Sequence, residues 1–213
     1  MKDPYLYPNR DSLINLFNET DEAKLTSIEA DYTSLRIKEL LDNPIPGDFN
    51  FHHLCEIHRY IFQDIYEWAG KVRIINIEKA EEALSGLSVE YSDVFDIVRH
   101  GSSVLVKMKS INWNNLNSEQ KAATFADSMT DLWKVHPFRE GNTRTIITFF
   151  CDFASKHGFP LDSFELPHFC SVALRRFSYR PAERAPAPPI RHPLSVRRYY
   201  RFKMLGNWVP RTG

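Results

Sequence analysis

Apolar side chains recur along this chain at spacings of three and four, the period of helices with one buried face. Leu25, Ile28, Tyr32 and Leu35 mark a first helix, which Asn43-Pro44 stops. Phe51, Leu54, His58, Ile61, Phe62 and Ile65 mark a second over 50–66, with Gly70 ending the region. Val94, Ile97, Val98, Leu105 and Met108 set out a third over 93–109. The most regular helix runs from Asn117 or Ser118 to Val135. Its stripe is Ala122, Phe125, Ala126, Met129, Leu132 and Trp133, and Asn117 with Gln120 has the spacing of a capping box. The last, Thr143 to His157, turns Ile146, Phe149, Phe150, Phe153 and Ala154 inward and stops at Gly158. One segment, VRIINIEK (72–79), reads as a short strand, with LSVEY (87–91) as its return past Gly86. The expected architecture is therefore all-α, a helical bundle with one small β-hairpin.

Outside these elements the pattern weakens. Residues 1–20, with Pro4 and Pro8 close together, predict an irregular lead. After about Leu166 the period is lost, and Pro181, Pro186, Pro188, Pro189 and Pro193 forbid a continuous helix. The chain thus divides into a lead (1–20), a helical domain (20–166) and a Pro/Arg-rich tail (167–213) that reads as disordered or altered. With 213 residues, 43% hydrophobic and 25% charged, the composition is that of one ordinary globular domain.

Charge changes this picture only at the tail. Net charge is zero, yet from Arg175 onward ten Lys/Arg face one acidic residue, so the tail carries +9 and the rest −9. Arg197, Arg198, Arg201 and Lys203 beside Tyr199, Tyr200 and Phe202 could attract nucleic acid. The acidic body argues against nucleic acid as the main ligand. Three cysteines without a CxxC pair exclude a disulfide scaffold and a structural zinc site. Cys55 and His58, three apart on a helix, lack a third and a fourth metal ligand. No apolar run approaches the roughly 18 residues of a membrane span, and MKDPYLYPNRDSL holds no signal-peptide core. The expectation is a cytoplasmic protein without a membrane partner.

The candidate chemistry lies between the last two helices, in His136-Pro137-Phe138-Arg139-Glu140-Gly141-Asn142-Thr143-Arg144. A glycine lets backbone approach a ligand, and the helix beginning there offers free N–H groups and a positive dipole end to an anion. Arg144 in the first turn is misplaced for that dipole unless it faces a phosphate. Glu140 could hold a divalent cation on that phosphate, and His136, which continues the apolar stripe of the preceding helix into the same crevice, could accept a proton from a hydroxyl near pH 7. Bland readings stand beside these. A histidine on an apolar face is commonly a core residue, and Glu140 with Arg144 has the spacing of a surface pair worth roughly 0.2–0.5 kcal/mol.

HPFREGNTR resembles the signature of the Fic domain, HPFx(D/E)GNGRxxR. TSLRIKELLDNPIPGDF, IHRYIFQDIYEWAGKVRIINIEK and DLWKVHPFREGNTRT are similar to the corresponding parts of short bacterial Fic (cell-filamentation-type) proteins, over residues 20–166. The resemblance implies a Fic-like helical bundle with a β-hairpin flap, and an enzyme that transfers AMP from ATP to a protein Tyr, Ser or Thr hydroxyl. It implies His136 as the base and Pro137 and Phe138 as the structural part of the motif. Glu140 would hold Mg²⁺, Gly141, Asn142, Thr143 and Arg144 the phosphates, and Asn76, Ile77 and Lys79 the target peptide.

Two positions depart from the signature: Thr143 replaces its second glycine and Ile147 its final arginine. The loss of that arginine removes a charge-assisted contact of about 1.5–3 kcal/mol. ATP bound differently, another nucleotide donor and no nucleotide all remain open, so the alternative function is a catalytically impaired nucleotide-binding or interaction module. Some Fic proteins carry an inhibitory helix with the pattern (S/T)xxxE(G/N); this sequence holds no convincing match, so the resemblance implies that any restraint comes from a separate, antitoxin-like inhibitory protein.

Overall fold

The structure, a computed structural model, describes residues 3–77 and 91–158. Five helices follow in order among them: α1 (Glu22–Asp42), α2 (Phe51–Phe62), α3 (Ile97–Ser110), α4 (Ser118–Val135) and α5 (Asn142–Lys156), with a 3₁₀ turn at Trp113–Asn115. Local chemistry sets the starts. Asp21 accepts from the N–H groups of Ala23 and Lys24, and Asn50 accepts from that of His53. Asn117 and Gln120 form the capping box expected of them.

Helix α5 packs against α1, α2 and α4, and its Ile146, Phe149, Phe150 and Phe153 are fully buried. They meet a core that includes Leu54, Ile61 and Phe62 of α2 and Phe125 and Leu132 of α4. Each such side chain contributes about 1.5–3 kcal/mol of burial. Gly101 of α3 sits against Phe51, where a Cβ would lie 2.3 Å from the ring. The predicted stripes of α4 and α5 are largely the buried ones.

Helix α1 departs from expectation. Tyr32 and Leu35 of its predicted stripe are exposed, while Leu25, Thr33 and Leu40 are buried. Its inner face is partly polar. Arg36 bridges to Asp64 of the turn after α2 at 2.7 Å, and Glu29 accepts from the Tyr66 hydroxyl and pairs with Arg144. Hydrogen bonds and ion pairs, rather than apolar period, select this face.

The predicted strand over 72–79 is absent in its described part, because 72–77 pair with no other strand. Arg73 instead turns inward onto backbone carbonyls, one of them that of Ile75 two residues on. The rest of that strand, Lys79, the return strand up to Glu90 and the tail lie outside the described residues. The lead folds onto the body. Leu6 and Leu13 form an isolated antiparallel bridge, and Leu16 N–H donates to the Ile65 carbonyl at 2.8 Å. Asp3 pairs with Arg139 at 2.8 Å. No helix of the described residues is long and apolar enough to cross a membrane.

Candidate active site

The loop between α4 and α5 is built by its own residues first. Phe138 N–H donates to Asn142 Oδ1 at 2.9 Å, and Asn142 Nδ2 returns a bond to the Phe138 carbonyl at 2.8 Å. This two-bond clamp closes the loop and spends the Asn142 side chain. Gly141 takes φ +79°, and a Cβ there would lie 2.1 Å from the Phe62 ring, so both the turn and the packing require glycine. Because the N-cap is glycine, no side chain caps the first turn of α5. The positive end of the α5 dipole is therefore left without a capping side chain.

His136 does not extend the α4 stripe. It follows the helix as its C-cap, in the left-handed conformation with φ 49°, a state that costs a residue with a Cβ about 1–2 kcal/mol. Its ring is buried, stacked on Tyr91 with centroids 3.9 Å apart and edge-on to Trp133. Glu140 is half-buried, and its Oε1 accepts from Gly141 N–H at 3.0 Å. Arg144 turns back toward α1. Nη2 lies 2.5 Å from Glu29 and 3.7 Å from Glu140, Nη1 donates to Thr33, and the guanidinium lies over Phe62. Thr143 accepts from the Trp133 indole at 3.2 Å, and Ile147 packs against the core.

Two residues that the sequence reading did not place at the site hold the loop from behind. The His58 ring stacks on Phe138 at 3.8 Å. Gly70 N–H donates to its Nδ1 at 2.8 Å, which leaves Nε2–H to donate to the Glu140 carbonyl at 3.0 Å. Complete burial pushes its pKa down to about 3, so the ring is neutral at pH 7. Arg73 donates through Nε to the His136 carbonyl and through its own N–H to that of Pro137, both at 2.9 Å. WAGKVR, which ends six residues before Lys79, could have signalled Arg73 only as an arginine inside an otherwise apolar strand.

Of the residues expected to hold a target, Asn76 has its side chain engaged within the chain. Its Nδ2 donates to Asp93 at 2.8 Å, and its Oδ1 accepts from Val94 N–H at 2.8 Å. Ile77 packs partly against the core. A cavity of about 370 Å³ opens beside the loop, with Glu22, Glu29 and Glu140 among its lining. Arg139 lines the same cavity. Among the described residues no group of three or more His, Cys, Asp or Glu could hold a metal ion alone.

Comparison with known proteins places the loop within a known family. The Fic/DOC family model matches residues 48–154. The protein adenylyltransferase VbhT of Bartonella schoenbuchensis is 31% identical over 160 residues, which are 75% of this chain and 32% of VbhT. The chain thus spans about a third of that relative's length. The probable protein adenylyltransferase y4lH of Sinorhizobium fredii is 31% identical over 184 residues, 84% of this chain and 90% of that one. Among solved structures, BepC of Bartonella tribocorum with bound AMPPNP superposes with a TM-score of 0.67 at 22% identity, over 84% of this chain and 90% of that chain.

Proposed function

From the premise that the chain belongs to the Fic/DOC family, we propose that it is a protein adenylyltransferase that moves AMP from ATP to a Tyr, Ser or Thr hydroxyl of another protein. Both 31%-identical relatives bear that activity in their names. The observation that carries it to this chain is the glycine-capped, side-chain-free start of α5, set on one clamped loop between His136 and Arg144.

The target hydroxyl oxygen attacks the α-phosphorus of ATP, the bond to the bridging oxygen breaks, and pyrophosphate leaves. His136 takes the hydroxyl proton. The N–H groups at Asn142 and Thr143 receive phosphate oxygens, where charge gathers in the transition state, and that of Gly141 joins them when it leaves Glu140 Oε1. Arg144 adds positive charge at the same end. Pro137 and Phe138 keep the loop in shape. A single half-buried carboxylate beside a phosphate cradle suits Mg²⁺, which takes one or two carboxylates and completes its shell with phosphate and water. Glu140 would hold it, and when bound the ion supplies neutralisation of the leaving pyrophosphate.

Residues 72–80, including Asn76, Ile77 and Lys79, hold the target by strand addition, and Asn76 acts there through its backbone. The catalytic domain is 20–166, preceded by the lead and followed by the basic tail, the one segment suited to nucleic acid. A separate inhibitory protein restrains the activity, and ATP as donor sets the reaction in the bacterial cytoplasm.

A second reading, a nucleotide-binding module without turnover, is favoured by two observations. Glu29 engages Arg144, and Ile147 stands where the signature has its last arginine. Labelled ATP with Mg²⁺ and a cell lysate separates the two. The expected result is labelled protein bands with the natural chain and none with His136→Ala. Nucleotide binding by calorimetry without any labelled band would establish the second reading instead.

A further inference from the structure

Arg73 is a fully buried guanidinium, 1% exposed, whose hydrogen-bond acceptors are backbone carbonyls and, at 3.4 Å, the Asn76 amide oxygen, rather than carboxylates. Nε donates to His136 at 2.9 Å, Nη1 to Ile75 at 2.7 Å, and Nη2 to Ser92. Its backbone N–H holds the next carbonyl of the loop, that of Pro137. Desolvation lowers its pKa, and the charge of Asp93 opposes this only in part. Taking such a charge out of water is expensive, and an apolar side chain would fill the space at lower cost. What the guanidinium adds is direction, because its rigid fork fixes several acceptors at set angles.

Those acceptors are informative. Two consecutive carbonyls, those of His136 and Pro137, follow directly on the left-handed kink at His136. Ile75 and Ser92 lie on either side of residues 78–90, and Asn76 cross-braces the same pair of segments through Asp93 and Val94. From the lead, Tyr5 Oη accepts the Ile74 N–H at 3.1 Å and braces stretch 72–77 a second time.

We infer that Arg73 is a positioning residue that sets the register between the His136 imidazole and stretch 72–77, with Tyr5 bracing that stretch from the lead. The register decides whether a hydroxyl on a peptide lying along 72–77 reaches the base. The inference rests on the adenylyltransferase reading.

Arg73→Lys keeps the charge and loses the fork. In the full-length chain the expected result is a kcat for protein labelling at least tenfold lower, with the Kd for ATP by calorimetry within twofold of the natural value. Tyr5→Phe, which loses one oxygen, is expected to raise the KM for the target severalfold at unchanged ATP affinity. A natural kcat in Arg73→Lys, or a kcat loss matched by an equal loss of ATP affinity, overturns the inference. Should Arg73→Lys fail to fold, Tyr5→Phe decides, and an unchanged target KM overturns it. If the natural chain labels no protein, the function falls separately, and NMR of the histidine ring protons decides the register. A displaced His136 resonance beside an unmoved His58 resonance in Arg73→Lys supports it, and an unmoved His136 resonance overturns it.

Discussion

The two halves of the α4–α5 loop are held by different chemistry. Behind the Glu140–Gly141 half stands His58, fully buried between Phe138 and Phe62 and neutral, each ring nitrogen matched to one backbone group. Behind the His136–Pro137 half stands Arg73, bonded to both loop carbonyls and to two carbonyls elsewhere. A neutral imidazole gives the Glu140–Gly141 half shape without adding a charge beside the Glu140 carboxylate. A charged fork gives the other half a link to a distant segment. One half is thus packed from within, and the other is referenced to the surface where a target would lie.

The comparison is broken most severely at His58. His58→Ala leaves the Glu140 carbonyl and the Gly70 N–H without their partner and opens a cavity under Phe138. The expected loss is about 3–5 kcal/mol of stability, from the cavity and the stranded polar groups together, measured by urea unfolding.

Acid sharpens the comparison further. The folded pKa of His58, about 3, lies below its ordinary 6.5. The unfolded chain therefore binds the extra proton between these values, and stability falls as pH falls through that window. From pH 7 to pH 5 the expected loss from this group is about 2 kcal/mol. His53, also lowered by burial, acts in the same direction. A shallower pH slope in His58→Ala assigns the effect to His58, and an equal slope removes it.

The smallest expected effect lies on the phosphate side of the loop. Ile147 packs against the core, and the Thr143 hydroxyl is bonded to Trp133, so neither offers charge to a third phosphate. The natural chain is expected to bind ATP and ADP with similar affinity in calorimetry. Ile147→Arg with Thr143→Gly is expected to raise the ATP-over-ADP preference about tenfold, the low end of a charge-assisted contact. A strong natural preference for ATP would mean that another group reads the terminal phosphate.

The elements readable in advance were those whose signal is local. The stripes of α4 and α5, the capping box at Asn117 and the glycine-started α5 each follow from residues within a turn or two of one another. The motif loop was legible for the same reason, since its clamp joins Phe138 to Asn142 four residues on. Helix α1 was readable as a helix but not in its facing. Glu29 and Arg36 are charged residues that any hydrophobic pattern assigns to solvent, and they turn inward only because Tyr66, Arg144 and Asp64 are there to meet them.

By itself, then, the sequence determined the helices, the capping box at Asn117, the motif loop and the family to which they belong. The tertiary structure alone decided what holds that loop and where its histidine points. His58 meets Glu140 across 82 positions, Arg73 meets His136 across 63, and Glu29 meets Arg144 across 115. A periodicity or a cap is an interaction between near neighbours and leaves its mark in the order of residues. A buried imidazole or guanidinium finds its carbonyls only after the helices have packed, and nothing in the local pattern distinguishes it beforehand from a side chain facing water.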